Sequence, residues 1–193
     1  MPKISRISKE SILKAAAEVV RKRGEQSLNA RSLAEELNCS TQPIYSVFAS
    51  MEELKTALLD EAKREYRRFI EEYLANSGRS RYECFGMGFV KFAREEKGLF
   101  RFLFMRQRET PKEGIDDPYF DDIIAEMVTL YKMPEEKARA FHRDMAVFSY
   151  GLAASINMSN FQISDEEISA YFQREFYALY ALYFPERPQF WRL

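Results

Sequence analysis

The chain has 193 residues, enough for one large or two small domains with a real core. Apolar residues make up 46% and charged residues 31%, which excludes a disordered chain, and 7 Gly and 7 Pro supply few tight turns, so the expected class is all-α. The net charge of −1 hides an asymmetry: residues 1–24 carry seven cations against two glutamates, a net of +5, and the rest of the chain carries −6.

The first helix spans about 8–23, with Ile12, Ala16, Val19 and Val20 on one face, and a basic last turn ahead of Gly24. Asn29 caps a short second helix with Leu33, Ala34 and Leu37 inward, and Asn38 ends it in the left-handed conformation. Ser40 is placed to cap a third short helix, with Pro43 in its first turn. Ser50 and Glu53 have capping-box spacing and open a long helix to about Ala75. A fifth helix runs from about Arg79 to Glu96, and Gly98 marks the next boundary. A short apolar helix follows through Phe100, Phe102, Leu103 and Met105, then a polar loop over 107–117. Asp117-Pro118 starts a helix to about Tyr131, Met133-Pro134 one to about Phe161, and the capping box Ser164-Asp-Glu-Glu a last one to Phe184. That is about nine helices, with a boundary near residue 50: residues 1–50 as a helix-turn-helix domain and 51–193 as a helical ligand-binding and dimerisation domain. No leader, membrane span, disulfide framework or metal-ligand spacing is visible, so a cytoplasmic protein without metal or cofactor is expected.

Residues 29–48 carry the function. As a helix-turn-helix, this segment puts small Ala34 at the helix crossing, a turn residue tolerant of positive φ at Asn38, and Leu33, Leu37, Cys39, Ile44 and Val47 inward. The second helix of such a unit enters the major groove, and here its first residues are Thr41, Gln42 and Pro43. Gln bonds adenine bidentately, Thr bonds or packs on a thymine methyl, and Pro makes apolar contact. Lys3 and Arg6 lie ahead of the first helix, where an arm reaches the backbone or the minor groove.

The series Gly24, Leu33-Ala34, Ser40, Ile44-Tyr45, Phe48 and Ser50-x-Glu52-x-Leu54 resembles the TetR family of bacterial repressors over about residues 8–60. The resemblance implies a homodimer on a pseudo-palindromic double-stranded operator, released by a small effector. It places Arg31 on a base or phosphate, the Tyr45 hydroxyl on a phosphate, and Asn29, Ser40, Thr41, Gln42 and Ser46 near the DNA. Three positions depart from the family pattern: Asn38 stands for the turn glycine, Val47 for a histidine and Met51 for a phosphate-binding lysine, with Lys55 one turn later as its substitute. Structural alternatives stand beside each role. Tyr45 also suits a core edge, Arg31 an ion pair with Glu35, and Gln42 a plain solvated position.

The body is rich in Phe, Met and Tyr, which line adaptable apolar cavities or simply fill a helical core. Phe89, Phe92, Phe102, Met105, Met127, Phe148, Tyr150 and Asn157 are the candidate ligand residues, for an apolar or amphipathic effector that enters between helices four to eight and shifts the fourth. Gly151, Ser155, Phe172, Phe176, Leu179 and Tyr180 on the last two helices fit a dimer interface, and fit burial within one chain equally well. Two rival readings are an interaction module whose DNA binding has degenerated and an all-α enzyme. The second lacks a nucleophile motif, a phosphate loop and any histidine beyond His142.

Overall fold

The computed structural model describes residues 7–106, 119–159 and 162–187. Among them lie nine α-helices and no strand: α1 Lys9–Arg23, α2 Ala30–Glu36, α3 Gln42–Val47, α4 Met51–Ser77, α5 Arg81–Glu95, α6 Lys97–Phe104, α7 Phe120–Thr129, α8 Glu135–Asn157 and α9 Asp165–Tyr183. A 3-10 turn, Glu25–Ser27, joins α1 to α2. The chain divides into two compact units, one of residues 1–68 with 96–107 and one of 69–95 with 108–193.

In the first unit the expected face of α1 is sealed: Ile12, Ala16, Val19 and Val20 are fully buried. Leu33, Ile44, Phe48, Leu54 and Leu58 are buried in the same unit, as are Leu99 and Phe100 of α6, and α2 and α6 pack on α1. Burying side chains of this size stabilises by about 1.5–3 kcal/mol each, far more than the helix propensity of segments as short as α2 and α3. Local signals set the ends. Ser8 Oγ accepts from the Ser11 amide, and Asn29 Oδ1 accepts from the amides of Arg31 and Ser32. Gly24 (φ 80°) and Asn38 (φ 50°) hold the positive-φ positions that stop α1 and follow α2.

Four expected ends differ, the first being α8, which stops at Asn157 rather than near Phe161, ahead of the positive φ of Ser159. Thr41, not Ser40, precedes α3, and no side-chain hydrogen bond caps that helix. Ser50 Oγ accepts from the Glu53 amide as expected, but Glu53 returns its carboxylate to the Ala49 amide, one residue early for a capping box. Gly98 lies inside α6 rather than at a boundary. An added Cβ there would stand 2.5 Å from the Val20 carbonyl oxygen and 2.6 Å from Arg21 Cα. Glycine is required because α6 rests directly on the backbone of α1.

In the second unit α5 packs mainly on α8, with α7 and α9 alongside. Ile70, Val90, Phe92, Phe141 and Phe184 are fully buried. Ser164 and Glu167 form the reciprocal capping box expected for α9. Phe184 ends that helix between two cations, with Lys137 Nζ 4.8 Å and the Arg187 guanidinium 5.1 Å from its ring centre. Among the described residues no helix is long and apolar enough to cross a membrane.

Candidate nucleic-acid interface

The helix pair α2–α3 turns its apolar side chains inward and leaves a polar outer surface. Leu33 and Ile44 are buried and Ala34 is 8% exposed at the crossing, whereas Leu37, Cys39 and Val47 are only half-buried. The outer surface begins at Arg31, which is exposed and forms no ion pair with Glu35. Glu35 Oε2 instead meets Arg23 Nη1 at 3.4 Å, so the charge of Arg31 is not spent within α2. Arg31, Thr41, Ser40 and Asn38 share the wall of an open hollow with Ala34, Glu35 and Cys39.

On α3, Tyr45 is 52% exposed, so about half of the residue is open to solvent. Gln42 and Ser40 are exposed, and Thr41 and Pro43 are half-buried. Ser46 is exposed, but its hydroxyl donates to the Pro43 carbonyl at 2.7 Å. Asn29 spends its side-chain oxygen on the start of α2 and its side-chain amide on the Ser27 carbonyl. Lys55 Nζ lies 3.3 Å from Glu52 Oε1, so the substitute for the absent lysine is already matched by a carboxylate. Lys3 and Arg6 lie outside the described residues. Sequence reasoning gave no role to Lys9 and Lys14, which are exposed on α1, with Lys9 Nζ 5.5 Å above the Phe48 ring.

Arg21, Lys22 and Arg23 form the ionic end of α1. Arg21 Nε donates to Glu96 Oε2 at 2.8 Å and Nη1 to Glu18 at 2.8 Å, and Nη2 reaches Glu65. Burial works against this charge, but the Glu96 hydrogen bond and the fields of Glu65 and Glu96 overcome it and raise the guanidinium pKa above its ordinary value. Lys22 donates to Glu36 at 3.0 Å, and that bond raises its pKa as well.

This arrangement of nine helices has solved counterparts. One is described as a member of TetR family (SCO1917) from Streptomyces coelicolor A3, at 15% identity and TM-score 0.59, covering 86% of this chain and 96% of that one. The fold is TetR-like. The multidrug binding protein EbrR, complexed with imidazole, is similar at 15% identity and TM-score 0.56, over 86% of this chain and 93% of its own. No family model and no curated protein matches the sequence.

Within the TetR-like fold the candidate ligand residues part company. Phe102 of α6 (2% exposed) and half-buried Met105, which caps that helix, belong to the first unit. Phe89, Phe92, Met127, Phe148, Tyr150 and Asn157 belong to the second. Phe92, Met127 and Asn157 are fully buried, and the Asn157 side-chain amide donates to the Ala93 carbonyl at 2.9 Å, tying α8 to α5. Phe89 and Tyr150 face each other with ring centres 6.5 Å apart. Phe148 sets its edge on Phe172 at 5.7 Å.

The candidate dimer residues also divide. Phe172 (5% exposed) and Tyr180 (2%) are covered by their own chain, and Phe176 packs on Tyr82, Tyr131 and Phe141. A partner finds little surface on them. Leu179 and Ser155 are half-buried and Gly151 is exposed. The outward apolar positions that helical spacing did not single out are Val147 (63%), Met158 (51%), Tyr171 (41%) and Leu182 (72%). With Tyr150 and Gly151, Val147 and Met158 make an apolar stripe along α8 and its C-cap, whereas Tyr171 and Leu182 are separate exposed positions on α9. The signal for them was available: residues 147, 150/151, 154 and 158 recur at three to four, opposite the face that holds Phe141 and Met145.

Proposed function

We propose that this protein is a ligand-responsive, homodimeric DNA-binding transcriptional regulator, acting as a repressor on a pseudo-palindromic operator. The observation that carries the proposal is the free outer surface of α2–α3: Tyr45 more than half exposed on the short helix, Gln42 beside it, and Arg31 with no ion pair among the described residues. Side chains able to bond phosphates and base edges stand on a rigid apolar scaffold and are not consumed by it. One such helix covers too few base pairs for specificity, so two copies related by a two-fold axis are needed, with half-sites about 34–36 Å apart. The exposed apolar positions Val147, Tyr150, Gly151 and Met158, with Tyr171 and Leu182, support a dimer face on the last two helices.

The effector is an apolar or amphipathic small molecule bound in the second unit near Phe89 and Phe148. The similar fold described as multidrug binding and complexed with imidazole supports this class of ligand. Release requires the effector to bind one dimer state better than the other. A second reading, an interaction module with degenerate DNA binding, draws on Met51 and on the pairing of Lys55 with Glu52.

The test is a titration of DNA from upstream of the chain's own gene, at fixed salt, with the native protein and Tyr45→Phe. Loss of a hydrogen bond to a charged group costs about 1.5–3 kcal/mol, so affinity should fall roughly tenfold or more with an unchanged thermal melt. Unaltered affinity would remove Tyr45 from the interface. No retention of DNA by the native protein would favour the interaction module.

A further inference from the structure

The last turn of α1 carries three successive cations, and adjacent residues of a helix point about 100° apart. Arg21 therefore faces α4 and the start of α6 through Glu65 and Glu96, while Lys22 and Arg23 face α2 through Glu36 and Glu35. Five carboxylates, counting Glu18, surround three cations. Each cation bridges acids that would otherwise repel one another, so the arms are interdependent. The backbone adds a second constraint. Gly98 leaves no room between α6 and α1, so the first turn of α6 cannot shift without displacing residues 20 and 21.

We infer that the end of α1 is an ionic junction through which the first turn of α6 governs the pose and stiffness of α2 and α3, with Arg21 as its positioning residue. Arginine suits the post because its planar fork meets three carboxylates at three different nitrogens, a geometry the point charge of lysine cannot reproduce. Coupling of this kind is reciprocal: whatever stiffens α2–α3 also steadies the start of α6. The junction serves a DNA-reading role only if the proposed function holds, but its existence is tested without DNA.

The experiment is amide hydrogen exchange, followed by mass spectrometry, on the full chain, Arg21→Met and Arg21→Lys. In Arg21→Met, residues 30–47 should exchange about fivefold faster, Arg21→Lys should recover part of the protection, and residues 81–95 should be unchanged. Unchanged exchange over 30–47 overturns the junction, and so does equal acceleration over 81–95, which marks general loss of stability. If Arg21→Met does not fold, Glu96→Gln removes one arm and is judged by the same two segments. Failure here leaves DNA binding untouched, and failure to bind DNA leaves this result standing.

Discussion

Replacing Gly98 by alanine sets two effects of opposite sign against each other. Alanine favours a helix interior over glycine by about 1 kcal/mol. The new methyl would meet the Val20 carbonyl oxygen at 2.5 Å, Arg21 Cα at 2.6 Å and the Arg21 carbonyl oxygen at 2.8 Å. All three are backbone atoms of α1, held by its helical hydrogen bonds, so relief requires moving α6 bodily, and overpacking of this kind costs about 1–3 kcal/mol. The propensity gain is smaller than usual because Gly98 sits in the first turn of α6. The net is a loss of about 1–2 kcal/mol, and a chain of this length loses about 2–4 °C per kcal/mol, so the melting midpoint should fall by about 2–8 °C. Far-UV circular dichroism on heating measures it, at a scan rate where the transition reverses. A midpoint equal to or above that of the native chain would refute the contact between α6 and α1.

The same substitution at Gly151 should act in the other direction on the protomer, since no atom lies within 4 Å of its added Cβ. A gain of about 0.5–1 kcal/mol is expected from propensity alone, accompanied by weaker self-association if α8 pairs closely with its copy. Leu182→Glu places a charge at a position 72% exposed, so the protomer should melt as before while sedimentation at micromolar concentration shifts to the monomer. A native sedimentation profile would remove that face from the interface. Glu126 is held above its ordinary pKa of 4.5 by burial, against the opposing charge of Arg81 at 3.3 Å. A carboxyl with a raised folded pKa stabilises below its unfolded value and loses that contribution as pH rises through the folded one. Glu126→Gln should therefore melt relatively higher than the native chain as pH climbs from about 4.5 to neutrality. A constant difference across that window would show that Arg81 governs the site.

Local chemistry made most helix ends legible. The caps at Asn29 and Ser164 and the positive-φ positions Gly24 and Asn38 depend on residues a few places apart, which spacing reveals. Gly98 misled as a boundary because its cause is the backbone of α1, which lies 77 positions away in the chain. The outer surface of α2–α3 was readable because inward and outward positions alternate at helical period there. The body was not. Phe172 and Val147 are both apolar at helical spacing, and only the packing of α8 and α9 shows that the first is covered by Phe148 while the second is bare. Arg31 illustrates the same limit: Glu35 is its natural partner within α2, and only the folded position of Arg23 shows that carboxylate already engaged.

The ionic end of α1 also changes what the basic start of the chain means for solution behaviour. Three of its seven cations, Arg21, Lys22 and Arg23, are neutralised by the protein's own glutamates, leaving Lys9, Lys14 and Arg31 as the described cations facing outward around α1–α3. Each phosphate neutralised on a duplex releases roughly 0.9 of a bound counterion. If the proposed function holds, these three described cations by themselves contribute only a shallow dependence of DNA affinity on ionic strength. Under the proposed function, base discrimination falls to the neutral groups of Thr41 and Gln42, while the Tyr45 hydroxyl holds a phosphate.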